Sequence, residues 1–155
     1  PDRCPSAVKI DVARTNEYTL KFHKVSKDGS GKGDMAFTGS ETDELYGVVF
    51  SIDETQADNL DSAEGLGDGY EKKDIVVEGI NKGPLRVVAY YATDINEDLK
   101  PYHWYKGQTV DGAKEHGLPP DYIKKIEAFE SIPDPNKERV DKETAYKSKS
   151  SSNSI

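Results

Sequence analysis

The chain has 155 residues, 34% hydrophobic and 32% charged, which fits a single domain with one modest core. Its 21 Lys and Arg against 29 Asp and Glu give a net charge of −8, which argues against nucleic acid or an anionic membrane as the main partner. The single cysteine, Cys4, excludes an internal disulfide and a cysteine-based zinc site and points to a reducing cytoplasm. The longest apolar run, Val87 to Ala92, is too short to span a bilayer.

The N-terminal half reads as β structure. Ala7 to Ala13 alternates, with Val8, Ile10 and Val12 on one face and Lys9 and Asp11 on the other. After the turn residues Thr15-Asn16, the residues Tyr18, Leu20 and Phe22 continue the pattern, which suggests an antiparallel neighbour with His23 on its polar phase. Ser26 to Asp34 reads as a flexible hairpin loop. Its glycines Gly29, Gly31 and Gly33 have the look of a phosphate cradle, but no P-loop lysine-serine/threonine pair accompanies them. Met35 to Thr38 is a short strand, Gly39 to Glu44 a turn, and Leu45 to Ile52 a buried strand.

Asp53 to Ala63 has an Asp N-cap and apolar spacing at Ala57 and Leu60, so a short helix is expected. Strands follow at Glu71 to Glu78 and Leu85 to Thr93, joined by the turn Asn81-Lys82-Gly83-Pro84. Tyr102 to His116 and Pro120 to Glu130 read as helices, the first ended by Gly117 and the second opened by Pro119-Pro120. From Pro133 onward prolines, lysines and serines dominate. Residues 1–132 therefore form the expected domain and 133–155 a polar, flexible tail. Strands first and helices later give an α+β class, a small β-barrel or curved sheet with flanking helices.

Few catalytic constellations survive this reading. No Gly-x-Ser-x-Gly occurs, so a serine nucleophile elbow is absent. His23, His103 and His116 lack the i, i+4 spacing of a helical metal pair, and Asp58, Asp61 and Asp68 lack calcium-loop spacing, so no metal is expected. What remains is the carboxylate of Glu64 in a stretch with three glycines, Gly65, Gly67 and Gly69, where backbone can approach a ligand closely. The same residues also read as a helix C-cap beside a solvated glutamate.

Larger patterns decide between these. Tyr46-Gly47-Val48-Val49-Phe50, then Leu60-Asp61-x-x-Glu64-Gly65, then Gly69-Tyr70, resembles the core of the gamma-glutamylcyclotransferase family. Tyr105 followed by Gly112-Ala113-Lys114-Glu115-His116-Gly117-Leu118-Pro119 is similar to that family's terminal region, and Tyr122 and Lys125 to Glu127 fit its last helix. The likeness runs over most of Pro5 to Glu130. It implies a small β-barrel with flanking helices and a cytoplasmic enzyme of glutathione metabolism, transferase or lyase in type, that needs no cofactor and often forms homodimers. It also implies a small gamma-glutamyl substrate, an amine or dipeptide, converted to 5-oxoproline and a free amine. Glu64 then stands as the general acid/base, with Tyr105 and Tyr70 as substrate-binding aromatics. The family's opening Tyr-Gly-Ser-Asn strand has no counterpart, so the resemblance implies an N-terminally truncated form. A non-catalytic module of the same fold, binding a metabolite or a peptide, is the alternative.

Overall fold

The computed structural model describes residues 7–52 and 69–147. The expected helix at Asp53 to Ala63, and Glu64 with it, lie outside the described residues. The described residues form six strands: β1 Val8–Asn16, β2 Tyr18–Val25, β3 Gly31–Phe37, β4 Glu44–Ser51, β5 Tyr70–Gly79 and β6 Gly83–Ala92. Three helices follow among the described residues, α1 His103–Glu115, α2 Pro120–Glu127 and α3 Lys137–Lys147. The strands form a four-stranded sheet in the order β4-β1-β5-β6 and a two-stranded sheet of β2 and β3, all antiparallel. Main-chain bonds from the stretch after β6 draw the two sheets together. Val25 N–H donates to Asp94 O at 2.9 Å and Asn96 N–H to His23 O at 2.8 Å, so the strands curl into the expected α+β half-barrel.

Alternation in β1 fails where it was expected to be cleanest. Val8 is 61% exposed whereas Asp11 is 3% exposed. The cause is a bulge: Lys9 pairs with Phe50 and Asp11 with Val49, which leaves Ile10 as an extra residue and puts Val8 out of phase with Val12, which stays in the core. Turned inward, the Asp11 carboxylate caps the β5–β6 turn. It accepts the N–H groups of Asn81 and Lys82, each at 2.9 Å, the Asn81 amide at 3.2 Å and Val12 N–H at 2.9 Å. Burial alone would raise its pKa; these four donors outweigh burial and lower it.

The core lies between the curled sheet and the first two helices. Val12, Leu20, Phe22, Met35 and Leu45 from the strands meet Val110, Ala113, Leu118, Tyr122 and Ile126. Edge-to-face ring pairs lock the layers, Phe22 with Phe129 at 5.0 Å and Tyr46 with Tyr122 at 5.1 Å between centroids. Ile126 is 1% exposed, and burying such a side chain contributes roughly 1.5–3 kcal/mol.

As the sequence indicates, Gly117 ends α1 and Pro120 opens α2. Leu118 N–H reaches Ala113 O at 3.0 Å and Gly117 N–H reaches Lys114 O at 3.2 Å, a Schellman closure with Gly117 at φ +71°. The span read as a polar tail contains α3. Its anchor is Asp134, whose buried carboxylate takes Arg139 Nε at 2.5 Å, the Arg139 guanidinium again at 2.6 Å and Trp104 Nε1 at 2.9 Å. A tail judged on composition alone misses this, because the partner that orders it, Trp104, lies 30 residues upstream.

Candidate active site

Tyr70 and Tyr105 are brought to a single residue, Gly33. Tyr70 opens β5, opposite Ala92 of β6, and its hydroxyl donates to the carbonyl oxygen of Gly33 at 2.8 Å. Tyr105 sits in the first turn of α1, and its hydroxyl accepts the N–H of the same Gly33 at 3.1 Å. A side chain at position 33 would put a Cβ 3.3 Å from the Tyr105 hydroxyl, a tight contact that would make the phenol draw back by a few tenths of an ångström.

The run Ser26 to Asp34, expected as a flexible loop, is held at almost every step. Asp28 accepts the N–H of Ser30 at 2.9 Å and its hydroxyl at 2.6 Å, while Tyr102 donates its hydroxyl to the Asp28 carbonyl at 2.5 Å. Ser30 is fully buried, and β3 starts as early as Gly31. The resemblance to a phosphate cradle also disappears. Gly29 N–H goes to Ser26 O, Gly31 N–H to Lys100 O and Gly33 N–H to Tyr105, so each of these glycine donors is already used. The tertiary partners Lys100, Tyr102 and Tyr105 are some 70 residues away, which is why local reading misses the order.

Charge surrounds the tyrosines. Lys32 Nζ lies 3.0 Å from Asp28 Oδ2 and over two rings, 4.5 Å from the centroid of Trp104 and 4.3 Å from that of Tyr105. Burial would raise the Asp28 pKa, but the Ser30 bonds and the Lys32 ammonium bring it down to about 2. Lys24 Nζ stands 4.9 Å from the Tyr70 ring centroid.

Sequence reasoning missed a buried pair next to Gly33. His23 Nε2 lies 2.6 Å from Asp34 Oδ2, and the other carboxylate oxygen accepts Ala92 N–H at 2.7 Å. Expected on the polar phase, His23 is 6% exposed, because register slips between Lys21 and Lys24 and turns it inward beside Phe22. The Gly33-Asp34 step, with the smallest residue next to a carboxylate in a strand, was the available signal.

The histidines do not converge. His103 Nδ1 lies 2.7 Å from the Ser131 hydroxyl, and the His116 ring packs edge-on to Phe50 at 6.1 Å. At the end of α1 an imidazolium would suit the helix dipole. Burial, followed by the nearby Lys9 charge, instead lowers the His116 pKa and favours the neutral ring, with Glu115 opposing. Among the described residues no group of three His, Cys, Asp or Glu side chains could hold a metal ion. A groove of about 370 Å³ lies along the outer side of α1, lined by His103, Lys106, Asp111, Glu127 and Ser131 among others, but neither tyrosine lines it.

Curled antiparallel strands capped by helices, with two phenols meeting at a strand glycine, define an α+β fold with a polar aromatic site. A model of the AIG2-like family matches residues 44–126. The gamma-glutamylcyclotransferases of Bos taurus and Homo sapiens are 33% and 32% identical over 133 and 132 residues, each alignment covering 83% of this chain and 70% of the relative. A solved structure of a gamma-glutamyl cyclotransferase superposes with a TM-score of 0.80 at 28% identity, covering 92% of this chain and 88% of that one. YkqA from Bacillus subtilis, at 20% identity and a TM-score of 0.68, shares the fold over 79% of this chain and 46% of its own. The chain belongs to the gamma-glutamylcyclotransferase family of enzymes.

Proposed function

We propose that this enzyme cyclises a gamma-glutamyl amine or dipeptide to 5-oxoproline, with Glu64 as the proton-transfer group and Tyr105 and Tyr70 facing the substrate. The observation that carries the reading is the convergence of Tyr70 and Tyr105 on Gly33, with Glu64 six residues before Tyr70 in the family's order. The substrate's α-amine, once deprotonated, attacks its own γ-carbonyl carbon. A carbon–nitrogen bond forms, the bond to the departing amine breaks, and the two protons that the attacking nitrogen loses pass to the leaving nitrogen, which departs as an ammonium. One carboxylate serves both transfers, contributing roughly 10²–10⁴-fold. Holding the glutamyl chain folded contributes more, since oriented intramolecular attack reaches effective molarities of about 10⁵ M or above.

Release of 5-oxoproline from gamma-glutamyl dipeptides, followed in wild type and Glu64→Gln, tests this. The substitution keeps shape and removes the transferable proton, so turnover should fall at least ~10²-fold with the fold intact. Wild-type turnover in Glu64→Gln would refute the assignment, and tight binding without turnover in the unmodified protein would identify a binding module instead.

A further inference from the structure

We infer that the buried His23–Asp34 pair positions the two site tyrosines, acting through the backbone on either side of Gly33; the inference rests on the reading of Tyr70 and Tyr105 as substrate-facing. His23 is 6% exposed and Asp34 7%, so both polar groups have left water and depend on each other and on the backbone. The carboxylate has two donors, His23 Nε2 at 2.6 Å and Ala92 N–H at 2.7 Å. His23 Nδ1 is buried and meets no partner among the described residues. A proton there would be stranded, so the ring carries its proton on Nε2, directed at Asp34.

The connections close into a small ring. Tyr70 grips the Gly33 carbonyl, and that carbonyl belongs to the Gly33–Asp34 peptide. Asp34 grips the N–H of Ala92, and Ala92 is the residue paired with Tyr70 across β5 and β6. The adjoining Lys32–Gly33 peptide unit is tied to α1 through Gly33 N–H and Tyr105. β3 and β6 belong to different sheets, so the Asp34 side chain is a bridge between them at the rung where Tyr70 stands. His23 holds the bridge from the β2 side and fixes which carboxylate oxygen faces Ala92. Loss of the histidine donor leaves a buried carboxylate oxygen unpaired and lets the backbone on both sides of Gly33 move, and both phenols move with it.

The test compares His23→Phe, His23→Gln and Asp34→Asn with Leu118→Ala, a core substitution away from the pair, in the full chain. Three quantities are read: kcat and KM for 5-oxoproline release, the thermal midpoint, and hydrogen exchange of the Gly33 amide. His23→Phe should lower kcat by about ten- to 100-fold, since a shift of ~1 Å at reacting groups has that effect. Leu118→Ala, compared at matched loss of thermal midpoint, should leave kcat within about twofold. Gln can present an N–H close to the place of Nε2, so His23→Gln should recover most of the activity. Gly33 exchange should accelerate by about tenfold or more in His23→Phe and stay slow in His23→Gln. Asp34→Asn points an amide N–H at Nε2 and should behave like His23→Phe, which keeps the claim testable if the latter does not fold. A kcat loss no larger than that of the matched core variant, or unchanged Gly33 exchange, overturns the inference. Absence of 5-oxoproline release in wild type defeats the substrate reading alone, and the exchange rates then decide the positioning claim.

Discussion

Tyr105 accepts the backbone N–H of Gly33 at 3.1 Å, joining a helix and a strand 72 residues apart in the chain. The bond does two things. It gives a strand donor a partner, and it fixes the direction of a phenol that still carries its own proton.

Tyr105→Phe should therefore show two separate effects. Stability should fall by about 1 kcal/mol, because the part-buried Gly33 N–H loses its acceptor. Denaturant unfolding measures that. The kcat/KM for gamma-glutamyl dipeptides should fall about ten- to 100-fold if the phenol donates to the substrate; unchanged kcat/KM would leave Tyr105 with a structural role only.

Asp28 makes the fold acid-sensitive over a defined range. Its carboxyl titrates at about 2 in the folded chain against an ordinary 3.8, so the folded state holds the ionised form more strongly. That contribution is complete above about pH 4 and is lost as pH falls towards about 2. Asp28→Asn should be less stable than wild type at pH 7, with the difference shrinking as both are acidified. Denaturation midpoints taken at neutral pH and at about pH 2.5 give the comparison; a gap that is constant with pH would mean Asp28 contributes only through its shape.

Asp134 should control α3 and little else. The Arg139 guanidinium comes first among the groups that hold its carboxyl well below the usual carboxylate range, assisted by Asn136 and Trp104 against the cost of burial. Asp134→Ala removes the anchor for Arg139 and the acceptor for Trp104 Nε1. Amides of residues 138–145 should then exchange faster and Trp104 fluorescence should shift, while Gly33 exchange stays as in wild type. Unaltered exchange in α3 would show that other contacts, such as Gln108 with Glu143 at 3.2 Å, suffice to hold the helix.

Gly117→Ala isolates backbone strain. The residue sits at φ +71°, and an added Cβ would meet no atom within 4 Å, so sterics with neighbours contribute nothing. A loss of about 1 kcal/mol is expected from the left-handed conformation alone. Gly117→Asn should lose less, since asparagine tolerates that region. Equal losses for Ala and Asn would point away from φ as the cause.

Much of this protein is local in origin. The apolar runs in Leu45 to Ile52 and Leu85 to Thr93, and the Gly117 and Pro120 boundaries of the helices, act over a few residues and need no distant partner. They could therefore be read directly, and with them the α+β class. The order Glu64-Gly65, Gly69-Tyr70 and Tyr105 to Pro119 likewise carried the family.

Tertiary structure decided what depends on pairing across the chain. Bulges at Ile10 and between Lys21 and Lys24 put Val8 out of phase with Val12 and reversed the facing of His23, and register is settled by the neighbouring strand rather than by the strand's own pattern. Order in Ser26 to Asp34 came from Lys100, Tyr102 and Tyr105. The meeting of Tyr70 and Tyr105 at Gly33, with His23 and Asp34 buried beside it, is a contact among β2, β3, β5 and α1. No periodicity encodes such a contact. It exists because a buried polar group must find a partner, and only the folded chain brings that partner within reach.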